Sequence, residues 1–230
     1  MALSHSPKIV TDGLVLCLDA GDGKSYSGSG TTWTDRSGNG NNGTLVNGVG
    51  YDSGDGGSLS FDGANDKVTL PSNNINGLSS GTTEFSILTW VKYNSTTLYT
   101  AFFEKQNSGV SVNTVRLDLG WISNTIYLTT SNLDGTVINS GNFNYGANDP
   151  NLWYHIALTC GGSSKKGYVN SVNTLSQTFT SYYPNNTYNL GIGGNLRELN
   201  GNIASTQIYN RALSPQEVLQ NYNATKGRFS

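Results

Sequence analysis

The sequence predicts an all-β fold, a sandwich of antiparallel strands with one short C-terminal helix. Three observations carry this. First, residues alternate between Trp153 and Cys160: Tyr154, Ile156, Leu158 and Cys160 share one face, and Trp153, His155, Ala157 and Thr159 the other. A period of two is what a strand imposes. Second, 29 Gly and 29 Asn among 230 residues, with only 12% charged residues, suit many short strands joined by many turns. Third, one segment stands out as a helix start. Ser214-Pro215-Gln216-Glu217 puts Ser at the N-cap, Pro at the first helical position and Glu at the third.

Taken in order, residues 13–19 form the first strand, a Gly/Ser-rich loop covers 21–30, and Thr31-Thr32-Trp33 enters a second ordered piece. The run from Asp35 to Gly43 is dense in residues that tolerate positive φ and makes a compact turn. Thr44 to Val46 is a short strand. Ser58 to Phe61 and Lys67 to Leu70 are expected to pair as a hairpin across Asp62-Gly63-Ala64-Asn65-Asp66. Residues 84–93 are mostly apolar and make a central strand, and 97–104, 114–119 and 125–129 follow as a meander. Residues 139–152 are expected to be an Asn/Gly-rich loop. The alternating stretch then turns through Gly161 to Gly167, with Lys165-Lys166 as a solvated tip, and returns at Tyr168-Val169. A piece at Gln177 to Phe179, then strands around Leu190 and over 203–209, close the sheets. In the helix, Val218, Leu219 and Tyr222 are expected to face the sandwich. Neither a repeat nor a linker interrupts the chain, so residues 1–230 are expected to form a single domain.

Bulk properties exclude several functions. A formal net charge of −2, with 13 Lys and Arg scattered along the chain, lacks the clustered basic surface that nucleic acid requires. Aromatic residues at 10% supply enough apolar area for a core and argue against disorder. No run reaches membrane-spanning length, and Met1 to Lys8 lacks a signal peptide's apolar core. Cys17 and Cys160 both fall in expected strands without CxxC spacing. Buried thiols are expected; a disulfide is the alternative if their strands are neighbours.

Trp153-Tyr154-His155 with its alternating apolars, Gly/Ser turn and Tyr168-Val169-Asn170 resembles the middle hairpin of the laminin G-like jelly rolls of the concanavalin A-like superfamily. Further segments match that family: Gly13 to Ala20, Trp33 to Leu45, Phe85 to Lys92, Leu190 to Gly194, and Gly201 to Ser214. The resemblance covers about residues 10–225 and implies a two-sheet antiparallel jelly-roll sandwich. Asp35 to Thr44 and Tyr209 to Ser214 resemble laminin G-type domains of bacteriophage tail and capsid-associated proteins. What this implies is a non-catalytic module on a virion surface, assembled in a host cytoplasm. It would decorate the capsid or sit in a tail or fibre, among copies of itself or other particle proteins, or adhere to host-surface glycans. A secreted bacterial lectin module is the alternative; a glycan-cleaving enzyme is a third reading.

The acids argue against catalysis. Glycoside hydrolysis uses two opposed carboxyls. The four Glu residues (Glu84, Glu104, Glu198 and Glu217) form no Glu-x-Asp-x-Glu array on a strand. His155 has no Gly-x-Ser-x-Gly partner motif. Sugar binding needs an aromatic platform beside amides, and Tyr182, Tyr183 and Asn185, then Tyr145, then Trp121 offer that make-up. Calcium requires hard oxygen ligands. Asp35, Asn39 and Asn41 are the first candidates for a structural ion, and Asp62, Asn65 and Asp66 the second. Neither has EF-hand spacing, which favours Asx-turns on their own backbone instead.

Overall fold

The computed structural model describes residues 7–71, 78, 84–94, 100–105, 116–122, 125–131, 137–143, 149–150, 152–178, 190–194 and 197–229, and over 105–143 the backbone alone. The amino-terminal strands are β1 (Leu14–Asp19), β2 (Thr32–Trp33), β3 (Gly43–Val46), β4 (Gly50–Asp52), β5 (Ser58–Asp62) and β6 (Lys67–Leu70). The middle ones are β7 (Phe85–Tyr93), β8 (Thr100–Lys105), β9 (Arg116–Ile122), β10 (Thr125–Ser131) and β11 (Val137–Phe143). Then come β12 (Tyr154–Gly161), β13 (Ser164–Val169), β14 (Val172–Thr178), β15 (Leu190–Ile192), β16 (Asn200–Tyr209) and helix α1 (Pro215–Thr225).

These strands make two antiparallel sheets, the jelly-roll sandwich that the family resemblance implied. The first runs β14-β13-β12-β7-β16-β5-β4, with β1 also on β16, and the second runs β11-β10-β9-β8-β15-β6-β3-β2. The core lies between them. Phe85, Ile87, Val91 and Tyr93 of β7 face Tyr154, Ile156 and Leu158 of β12 along with Trp33, Phe61, Val68 and Ile192. Leu88 of β7 and Ala157 of β12 point the other way, into a second cluster with Tyr209, Leu213 and Val218 under the helix. Burial on both faces explains why β7 reads as a nearly unbroken apolar run.

Four expectations need correction. Ser58–Asp62 and Lys67–Leu70 are not a hairpin, because β5 pairs with β4 and β16 whereas β6 pairs with β3 and β15. The Asp62 to Asp66 turn therefore crosses from one sheet to the other. Residues expected as loop from 139 contribute β11, which pairs with β10. The β12–β13 turn lies at Gly162 and Ser163, both at positive φ. Lys165 is consequently no solvated tip. It pairs across from Cys160, shares that residue's inward face and is 0% exposed. On α1, Leu219 is exposed, and Asn221 takes the buried position instead. Its Oδ1 accepts from Val10 N at 2.7 Å and its Nδ2 donates to the Tyr209 hydroxyl at 2.9 Å.

Cys17 and Cys160 are free and buried. Two strands, β16 and β7, separate β1 from β12. At about 4.8 Å per strand this exceeds the reach of a disulfide.

The capping box forms as the sequence specified: Ser214 Oγ accepts from Glu217 N, and Glu217 Oε2 accepts from Ser214 N at 2.9 Å. Arg211 grips the same carboxylate from Nη1 at 3.0 Å and Nη2 at 2.6 Å. The Arg211 hydrogen bonds, helped by those from Ser214, hold the Glu217 carboxyl down at about 2. A depressed carboxyl contributes stability above its ordinary value of 4.5, and that contribution disappears as pH falls towards 2. Thermal melts across this window should show the wild type losing more stability than Glu217→Gln. Equal losses would mean that the cap does not couple folding to pH.

Candidate functional site

The outer face of the first sheet is closed to ligands where α1 and the C-terminal segment lie on it. Phe229 stacks on Trp90 at 4.2 Å, Tyr222 stacks on Trp90 at 5.7 Å, and Trp90 Nε1 donates to Thr225 Oγ1 at 2.8 Å. His155 sits beneath this cluster, 5.2 Å from the Trp90 ring. Its burial pushes the imidazole down to about 3, so the ring stays neutral at neutral pH, with a proton on one nitrogen only.

Asp35 is 7% exposed and its carboxylate organises the 35–42 turn. Oδ1 accepts from the backbone of Cys17 and of Ser37, each at 2.9 Å. Oδ2 accepts from Ser37 Oγ at 2.7 Å and Asn41 N at 3.0 Å. The Asn41 amide donates to Val15 O at 2.8 Å and the Asn39 amide to Leu14 O at 3.3 Å, stitching the turn to β1. Two hydrogen bonds on each carboxylate oxygen use the acceptor capacity that a cation at this turn would have to displace.

A second polar concavity lies where three segments meet at one end of the sandwich. The β3–β4 turn brings Asn47, the crossing turn brings Asn65 and Asp66, β6 starts at Lys67, and the loop after β15 brings Gly194 and Glu198; together they line a cavity of about 210 Å³. Local backbone makes this approach feasible. Asn47 and Gly48 have φ of 67° and 106°, and Gly194 has φ of 111°. A Cβ on Gly194 would lie 2.6 Å from Arg197 O, so only glycine lets that loop fold back. Asn47 Nδ2 donates to Asn65 O at 2.9 Å, tying two of the segments together.

Asp66 is 4% exposed, and its Oδ2 accepts from Asp62 N at 3.1 Å. Its Oδ1 is buried and has no hydrogen-bond partner. Burial pushes the Asp66 carboxyl up, the Asp62 N–H partly opposes this, and the Asp62 charge adds to the rise. The arrangement presents acceptors, amides and one ammonium in a small hollow, a set suited to ligand hydroxyls or to a hard cation.

The other anticipated ligand residues are not brought into this pocket by anything described. Trp121 lies on β9, opposite Ile126 and Thr100, where the backbone alone is described. Tyr145, Tyr182, Tyr183 and Asn185 lie outside the described residues. Sequence reading singled out Asn65 and Asp66 of the pocket but missed Asn47, Lys67, Gly194 and Glu198. The only signal for those was the density of Asn, Asp and Gly at three turns far apart in the chain. Among the described residues no three His, Cys, Asp or Glu side chains converge as a metal cluster.

Residues 61–219 match the model of the family described as the concanavalin A-like lectin/glucanases superfamily. The chain belongs to that superfamily. No curated protein matches it. Among solved structures it is similar to domain 4 of AbnA, a GH43 extracellular arabinanase from Geobacillus stearothermophilus, in complex with arabinotriose. That match has a TM-score of 0.69 at 21% identity over 91% of this chain and 98% of the other. The binding domain of Paraclostridial Mosquitocidal Protein 1 matches with a TM-score of 0.73 at 18% identity over 93% of this chain and 52% of the other. The botulinum neurotoxin serotype D ligand binding domain in complex with N-acetylneuraminic acid gives 0.70, 18%, 93% and 51% for the same quantities. The chain thus spans about half the length of these toxin domains. At such identities the likeness is one of fold.

Proposed function

We propose that this protein is a non-catalytic glycan-binding module displayed on a surface, and that the Asn47–Asp66–Glu198 pocket is where it meets a sugar. The observation that carries this is the pocket's make-up: a buried carboxylate oxygen without a donor, a second carboxylate and two amides around a hollow of about 210 Å³. Sugar hydroxyls are the donors that such an acceptor-rich hollow lacks. Support comes from the folds it resembles, one solved with arabinotriose and another with N-acetylneuraminic acid. A glycan array of the intact protein should give specific hits that Asn47→Ala weakens. Silence across neutral and acidic glycans would remove the reading.

On the same reading the module belongs to a bacteriophage particle, as capsid decoration or a tail or fibre component, among other particle proteins and facing host-surface glycans. The wording of the Asp35 to Thr44 and Tyr209 to Ser214 segments supports this. A secreted lectin module is the alternative, and labelled antibodies on purified particles distinguish the two.

A hydrolytic reading is favoured by one observation: Asp66 and Glu198 line the same pocket, and burial raises the Asp66 carboxyl as a general acid requires. Asp66 lies beneath the surface with one oxygen committed to the crossing turn, which favours holding over cleaving. Polysaccharide digests should therefore release no products; release abolished by Glu198→Gln would establish the enzyme.

A further inference from the structure

We infer that Cys160 and Lys165 form an oxidative switch, a reversible sulfur–nitrogen bond that closes across the β12–β13 hairpin in the presence of hydrogen peroxide. The two residues pair directly across the antiparallel strands, in the rung next to the closing pair Gly161 and Ser164. Opposed side chains of such a pair stand about 4.5–5.5 Å apart at Cβ and share one face, here the inward one. Cys160 is a free thiol, 1% exposed. Lys165 is 0% exposed, and its Nζ has no hydrogen-bond partner among the described residues. Each group feels the other: burial lowers the amine and Cys160 opposes this, while burial raises the thiol and Lys165 opposes that. An amine withdrawn from water without a partner destabilises the fold. A residue that breaks a local rule with no structural return is where function is expected.

The position in the sheet lets a small oxidant in. Cys160 lies opposite Phe85, the first residue of β7, and Lys165 opposite Gln177, next to the last residue of β14. Strand β14 is the sheet's edge, and the Gly162-Ser163 turn beyond the pair is exposed. Sheet ends and edges open locally at a small fraction of the global cost. In the opened hairpin the Cys160 thiolate attacks hydrogen peroxide. The S–O bond forms, the O–O bond breaks, and the released hydroxide takes the thiol's proton to become water. Sulfur is oxidised and the peroxide reduced, by two electrons each. Reclosure sets the sulfenic acid against Lys165. The amine nitrogen attacks sulfur, the S–N bond forms, the S–O bond breaks, and hydroxide leaves as water with one amine proton. Burial favours this step twice over: it shifts the amine towards its unprotonated form and keeps a second peroxide from the sulfur. Thiols reverse the bond by attacking the same sulfur and returning the amine.

The test is intact-mass and peptide mass spectrometry of the folded protein after hydrogen peroxide treatment, with no sugar present, so that its result stands apart from the glycan reading. The wild type should lose two hydrogens, mapped to residues 160–165, and dithiothreitol should restore the mass. Cys17→Ser should lose the same two hydrogens, which separates this bond from any disulfide through Cys17. Lys165→Leu keeps the site apolar and filled, is inert to peroxide, and should instead gain oxygen at Cys160 as sulfenic and then sulfinic acid. Wild-type Cys160 that stays a thiol, or that goes only to sulfenic or sulfinic acid, overturns the inference. So does a loss of two hydrogens that survives in Lys165→Leu.

Discussion

Asp35→Ala should destabilise the protein by roughly 3–5 kcal/mol, because one carboxylate satisfies four donors and at least two of them are buried. Truncation leaves the Cys17 and Asn41 N–H groups without acceptors in a region that water does not reach. It also frees the 35–42 turn from β1, a strand held to the sandwich by pairing with β16. Asp35→Asn should recover only part of this, since an amide presents one acceptor and turns two donors towards other donors. Urea unfolding followed by tryptophan fluorescence gives the number: the midpoint should fall while the slope stays constant. A shift under about 0.5 kcal/mol, ordinary for a surface site, would mean that the turn is not the fastener its hydrogen bonds describe.

Lys165→Met should have the opposite sign and stabilise the protein by roughly 1–4 kcal/mol, the range seen when buried charge is replaced by apolar volume. Lys165 is 0% exposed, and its Nζ has no hydrogen-bond partner. Burial drives its ammonium below the ordinary lysine value of 10.5, and the neighbouring Cys160 opposes this. Because the unfolded chain holds this proton more tightly than the folded one, wild-type stability should rise as pH climbs from the depressed folded value towards 10.5. Methionine keeps the length and volume without the proton, so both the penalty and that pH slope should vanish. Melting temperatures of the two proteins between neutral and alkaline pH measure this, at about 2–4 °C per kcal/mol for a chain of this size. A less stable Lys165→Met would show that the amine holds something in place.

These two residues also mark the limits of reading the sequence. Strands β1, β7, β12 and β16 announced themselves through period-two patterning or long apolar runs, and the helix through Ser214 and Glu217. Lys165 did not, because a lysine beside a Gly/Ser turn looks solvated until the register with Cys160 turns it inward. Asn221 was passed over for the reverse reason: a polar residue on an apolar helix face is buried only because Val10, Gln207 and Tyr209 supply its partners. The Asp62 to Asp66 turn has the composition of a hairpin turn. Local residue types hold nothing that separates a turn within one sheet from a crossing between two.

The pocket was still less legible. Its walls come from three loops, and positions 47 and 198 meet only after both sheets have formed. Individual Asn and Asp residues could be picked out, yet a concavity is a property of the assembled backbone. The aromatic platforms that composition suggested at Tyr145, Tyr182 and Tyr183 lie outside the described residues, so the polar pocket carries the reading by itself.

Amide-resolved NMR, titrating the intact protein with its strongest glycan-array ligand, measures most directly whether the protein holds its sugar in that hollow. Shifts should concentrate at Asn47, Asn65, Lys67, Gly194 and Glu198, and Asn47→Ala should reduce them. Shifts confined to the outer face of β12 to β14, or saturable binding that leaves those five amides unmoved, would contradict it.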